Sequence, residues 1–212
     1  MRRLPGLLVG LTGFGVGIAL MAQSGLGLGP WEVLHQGLGK QFGVPLGTIS
    51  IMLGVPILLC WIPLREAPGP GTLINLVLIG VSTNVGLALI PSPATDQLPL
   101  RIAEVVGGVV LIGICTGLYL AADLGPGPRD GLMTGLHHRF GWSIAVARTG
   151  LEVTVLAAGW LLGGTVGVGT LLFAFGIGPT VQAALRVFDR EGRVMRRRPA
   201  ADDATVPSEG AA

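Results

Sequence analysis

Six runs of apolar residues, at about 7–24, 45–64, 71–91, 103–122, 143–164 and 168–186, dominate the chain. Each is close to the roughly 20 residues that a helix needs to cross the hydrocarbon core of a bilayer. Two shorter segments between them carry a different pattern. After the first run, Trp31, Leu34, Leu38 and Phe42 recur at helical spacing, with Glu32, Gln36 and Lys40 along another face. After the fourth, Leu132, Met133, Leu136 and Phe140 are apolar and Asp130, Thr134 and His138 polar on the same scheme. The chain therefore reads as an all-α polytopic membrane protein with six spans and two short amphipathic helices, 30–42 and 128–140. Pro30 and Pro128 suit a first helical position, where the missing N–H needs no partner, and Gly43 and Gly141 suit left-handed helix ends.

The two short segments are copies of one another. Displacing the chain by 98 residues lays Leu26-Gly-Leu-Gly-Pro30 on Leu124-Gly-Pro-Gly-Pro128, with nine of eighteen positions identical between 26–43 and 124–141. Gly71-Thr-Leu73 falls on Gly169-Thr-Leu171 at the same offset. The first run thus corresponds to an internal span, which favours a retained helix over a cleaved secretory signal. The expected organisation is a three-span repeat at 1–98, a second at 99–187 and a tail at 188–212. Three crossings per repeat invert the second copy relative to the first, as in many secondary transporters.

Composition narrows the class without supplying a reaction. Half of the residues are hydrophobic and only 12% are charged, against roughly a quarter in soluble domains, which excludes disordered chains and makes a soluble globule improbable. Net charge is only +2, and six of the fourteen basic residues lie after Leu185. No basic surface interleaved with aromatics is present for a nucleic acid. With both termini in the cytoplasm, twelve basic residues, among them Arg65, Arg129, Arg139 and Arg148, fall inside against Lys40 and Arg101 outside, in line with the positive-inside rule. The tail reads as a basic juxtamembrane segment, then a small, acidic, disordered end. Cys60 and Cys115 lie in apolar runs and suggest neither a disulfide nor a metal site. His137 and His138 are adjacent and diverge on a helix, so no metal is expected, nor any cofactor. No phosphate-binding loop, zinc-protease helix or nucleophile elbow is present, and no enzymatic activity is expected.

Candidate chemistry concentrates in the repeated segments. Either they lie flat at the membrane interface with their acids in water, or they re-enter between the halves and present Gly-Pro backbone to a solute, since irregular backbone at depth must line a cavity or be buried in protein. On the second reading Gly27, Gly29, Pro30, Gly125, Gly127 and Pro128 shape a solute site, and Glu32 and Asp130 are its symmetric acids. Glu152 follows Arg148 by four residues, so the two can pair on one helical face and couple or gate. Asn75 and Asn84 are secondary candidates that helix-to-helix hydrogen bonding would also explain.

The Leu-Gly-x-Gly-Pro-x-[Glu/Asp] element after the first and fourth spans, in a chain of two similar halves, resembles the YczE/YyaS/YitT-type bacterial integral membrane proteins over residues 1 to about 187. The resemblance implies a multi-pass protein of the bacterial cytoplasmic membrane and brings no set of catalytic residues. The expected function is a transporter-like carrier or exporter of a small solute. The alternative is a membrane-embedded accessory or scaffold protein that holds a partner enzyme complex at its cytoplasmic face. The expected partners are the lipid bilayer, an unknown small solute and, on the alternative, a protein at that face.

Overall fold

The computed structural model describes residues 4–189, and the predicted tail lies almost wholly outside the described residues. Eight helices follow one another: α1 (Leu4–Ser24), α2 (Pro30–Phe42), α3 (Leu46–Leu64), α4 (Pro70–Leu89), α5 (Leu98–Ala121), α6 (Pro128–Phe140), α7 (Ile144–Leu161) and α8 (Val168–Phe188). Six of them are long and apolar enough to span a membrane, and α2 and α6, of 13 residues each, are the short pair. The sequence pattern places the start of α5 five residues too late. Arg101 interrupts the apolar run, but its Nε donates to Ser24 O at 2.6 Å, so the cation is satisfied at the end of α1 and the helix continues past it.

The core forms around α1, which packs against both α4 and α5, while α5 packs on α8. Leu7, Leu11, Ile18, Val105, Val109 and Ile112 are buried there. Small residues let these backbones approach: Gly10 and Gly17 of α1 face α5 backbone, and Gly15 faces α4. Such close contact, rather than apolar burial alone, is what distinguishes a helix partner from lipid. The outward faces stay apolar, with Ile62, Leu89, Leu161 and Phe175 all exposed, as hydrocarbon contact requires.

The short helices pack more extensively across the repeat than within it. α2, from the first repeat, lies on α7 of the second, and α6 lies on α3 of the first. The glycine loops before them are exchanged in the same sense. Gly169 N donates to Leu26 O at 2.8 Å and Gly71 N donates to Leu124 O at 2.9 Å, two bonds related by the 98-residue offset. Thr72 Oγ1 adds a bond to Pro126 O at 2.8 Å. Gly27 and Gly125 occupy matching conformations, φ 121° and 125°, and a Cβ at either would strike the helix start opposite it, Gly167–Thr170 or Gly69–Thr72. The far ends of the short helices are tied down likewise: Lys40 Nζ donates to Gly163 O at 2.7 Å, and His138, at the matching position, pairs with Glu66 at 2.8 Å. Each cap ends as expected, with Gly43 and Gly141 at φ 67° and 71°.

Gly27→Ala and Gly125→Ala should each destabilise the protein by about 2–5 kcal/mol, because backbone strain and overpacking act together. Gly43→Ala meets no atom within 4 Å and should cost only about 1–2 kcal/mol of left-handed strain. Thermal unfolding of the purified variants in detergent will order them, and equal losses at Gly27 and Gly43 would contradict the close-approach argument.

Candidate functional site

The starts of α2 and α6 converge on one cavity of about 560 Å³ enclosed by six helices besides these two. Its walls bring together Pro30, Glu32, Gly127, Pro128, Asp130, Asn75, Arg148 and Glu152 among the residues expected from the sequence. The remaining expected residues serve its frame. Gly27 and Gly125 seat the exchanged loops, and Gly29 is the N-cap of α2. Asn84 clamps α3 to α4, accepting from Gly47 N at 2.9 Å and donating to Thr48 Oγ1 at 2.8 Å, which is the helix-to-helix role foreseen for it.

The carboxylates sit where the helix starts place them. Glu32 and Asp130 are each third residues of their helices, behind N-cap Gly29 and Gly127, where an acid complements the positive end of the helix dipole. The flat interfacial arrangement would leave Glu32 in water, yet it is only 4% exposed. Its Oε1 pairs with Arg129 Nη1 at 2.7 Å, joining the start of α2 to the start of α6. The Arg129 guanidinium also lies over the Trp31 ring at 5.1 Å from its centroid, a cation–π contact that continues the same junction. Charge placement counts Arg129 among the cytoplasmic basic residues; the structure adds that its side chain lies in the cavity wall, paired there with Glu32 from the other repeat.

Asp130 has a different environment. Its carboxylate lies close to Gly127 and to the side of the cavity where the Tyr119 hydroxyl sits, and its surface remains open to the cavity. Arg148 and Glu152 pair as their spacing predicts, Nε to Oε1 at 2.9 Å, on the face of α7 that borders the cavity. Sequence reasoning passed over Arg129, Trp31, His35, Tyr119 and Gln182, all of them in the wall. The available signal for Arg129 was its position inside the repeated motif, opposite Trp31 in the other copy. Trp31 Nε1 and His35 Nδ1 are buried beside the cavity with no hydrogen-bond partner, and Trp61 Nε1 donates to Pro128 O at 3.1 Å, fixing the α6 start against α3.

The cavity is closed unequally. α3 and α4 pack together, with Gly80 against Gly47 O. The corresponding helices, α7 and α8, do not pack along their lengths, and Gly178, which matches Gly80, has no atom within 4 Å of where its Cβ would be. Gln182, which matches Asn84, lines the cavity instead of bridging two helices.

Six long apolar helices around a largely apolar cavity that carries a few charged side chains define a multi-pass membrane protein. The chain belongs to a family of unknown function (DUF6198), whose model matches residues 1–186. It is 41% identical over 184 residues to an uncharacterised protein of Haemophilus influenzae, covering 87% of this chain and 84% of that one. It is 37% identical over 165 residues to the uncharacterised membrane protein YczE of Bacillus subtilis, covering 77% and 75%. YyaS, an uncharacterised protein of the same organism, is 29% identical over 168 residues, covering 77% and 83%. The resemblance read from the glycine-proline element is therefore to the right family. No solved structure matches the chain.

Arg129→Gln should destabilise the protein by about 3 kcal/mol, since it leaves the buried Glu32 carboxylate unpaired. Adding Glu32→Gln should recover much of that loss, and a double-mutant cycle on detergent unfolding will report the coupling. By contrast, the half-exposed Arg148–Glu152 pair should couple by no more than about 0.5 kcal/mol.

Proposed function

We propose that the protein is a carrier of a small solute, built from two inverted three-span repeats in the cytoplasmic membrane and working by alternating access around the cavity. The observation that carries this reading is the unequal closure of the cavity by matching helix pairs. In an inverted repeat, exchanging the conformations of the two halves turns a site open to one side into a site open to the other. Here α3 clamped to α4 forms the shut gate, and the gap between α7 and α8 forms the open one.

With both termini in the cytoplasm, the Asn84 clamp lies toward the outside, and the gap by Arg148 and Gln182 lies toward the inside. The described state is then inward-open. Glu32, Arg129 and Asp130 form the floor of the site, where the α2 and α6 starts meet as re-entrant half-helices. Arg148 and Glu152 line the moving face of α7. No bond-making step is assigned to these residues, and the protein is read as a binder and mover of its solute rather than an enzyme.

Cross-linking in membranes tests the cycle without knowledge of the solute, once Cys60 and Cys115 are replaced by alanine. A pair made by Thr48→Cys and Asn84→Cys should cross-link readily, as those side chains already touch. A pair made by Ala145→Cys and Gly178→Cys should cross-link as well, because the cycle brings α7 onto α8. If the second pair never forms while the first forms fully, the gap is fixed and the carrier reading fails in favour of a static scaffold.

A further inference from the structure

The charges that face the cavity do not cancel. Glu32 is paired with Arg129 at 2.7 Å and Arg148 with Glu152 at 2.9 Å. Asp130 is left over: it lines the cavity with no ion pair of its own among the described residues. Both arginines lie near enough to act on it electrostatically, but each already has a carboxylate of its own. The wall thus carries three acidic and two basic side chains, with His35 and Tyr119 the further titratable groups lining it.

A lone carboxylate facing a largely apolar cavity is costly in its charged form unless a counter-charge reaches it. The protein leaves Asp130 open to the cavity, so the counter-charge can come from the solute. The rest of the lining favours the same sign. Phe14, Trp31, Tyr119 and Phe173 border the space, and ring faces attract cations while an apolar wall accepts a hydrocarbon body. An anion would meet the excess negative charge, and the two helix starts that could attract it are already answered by Glu32 and Asp130. The buried Trp31 Nε1 and His35 Nδ1, without partners beside the cavity, mark where a polar substituent would be received after a small shift of side chains. The volume, about 560 Å³, lies in the range of pockets that enclose a drug-sized molecule.

We infer that the solute is a monovalent organic cation, an ammonium group on an apolar or aromatic body, whose charge is received by Asp130. The inference rests on reading this cavity as the solute site. It does not require that the helices move.

Equilibrium binding to the full chain in lipid nanodiscs tests it, with three probes of one shape family: 2-phenylethylammonium, 2-phenylethanol and benzoate. The cation should bind at least tenfold more tightly than the neutral and anionic probes. Asp130→Asn should weaken cation binding at least tenfold, and Asp130→Glu should retain most of it. Preference for benzoate, equal binding of cation and alcohol, or no binding of any probe would overturn the inference, as would an Asp130→Asn protein that binds the cation normally. If Asp130→Asn does not fold, the charge preference of the wild type still decides. Cation binding in a protein whose Ala145→Cys and Gly178→Cys pair never cross-links keeps the site and removes the carrier. A cross-linking pair in a protein indifferent to probe charge does the reverse.

Discussion

Two backbone hydrogen bonds, from Gly169 N to Leu26 O and from Gly71 N to Leu124 O, hold the glycine loops of each repeat against a helix start of the other. Backbone that is not helical cannot be left exposed to hydrocarbon, because each unsatisfied group costs several kcal/mol. The chain breaks at 25–29 and 122–127, and the carbonyls of Leu26 and Leu124 in these breaks find their partners on the opposite half. Neither half could satisfy its own loop alone. That dependence makes the junction between repeats the first structural requirement of the fold, and it delivers the starts of α2 and α6 to a common place.

The same junction explains why charge is tolerated in the interior. Glu32 is nearly inaccessible, and an isolated ion there would be strongly disfavoured. Arg129 answers it from the other repeat and spreads its remaining interaction over the Trp31 ring. The positions of Trp31 and Arg129 correspond at the 98-residue offset, so the pair arises where the copies differ. Glu32 and Asp130 also correspond, yet one is neutralised and the other is not. Divergence between the copies has therefore produced an asymmetric polar floor within a frame whose loops and caps remain symmetric.

Much of this frame was legible in the residues themselves. Apolar runs gave the spans, Pro30 and Pro128 the short helix starts, Gly43 and Gly141 their left-handed ends, and the four-residue spacing the Arg148–Glu152 pair. These are local relations, set by periodicity and by backbone preference. Placement of Arg129 was not legible, because a basic residue near a span end reads as an anchor until its partner is known, and that partner lies 97 positions away in the other repeat. Asn75 and Asn84 looked alike for the same reason: each is an amide inside one span, but Asn84 finds a hydroxyl and an amide N–H on α3, while Asn75 lines the cavity. The exchange of α2 and α6 across the repeats was equally hidden, since amphipathicity identifies a buried face and not what buries it.

The unequal closure has a chemical origin in the two helix pairs, α3 with α4 and α7 with α8. On α3 the surface toward α4 carries Gly47, Thr48 and Gly54, with Ser50 on the cavity side, so the helices meet closely and Asn84 has both an N–H and a hydroxyl to engage. At the matching positions α7 carries Ala145, Val146, Arg148 and Glu152. Ala145 adds a methyl where Gly47 has none, Val146 offers no hydroxyl to Gln182, and the Arg148–Glu152 pair is partly exposed, so a closed interface would have to desolvate it. Closure of α7 on α8 is thus weaker than closure of α3 on α4 by at least one side-chain hydrogen bond, about 1 kcal/mol, together with the cost of desolvating the pair. A difference of that size favours the state in which the α7–α8 side stands open, and on the proposed carrier reading it is small enough for solute contacts inside the cavity to offset.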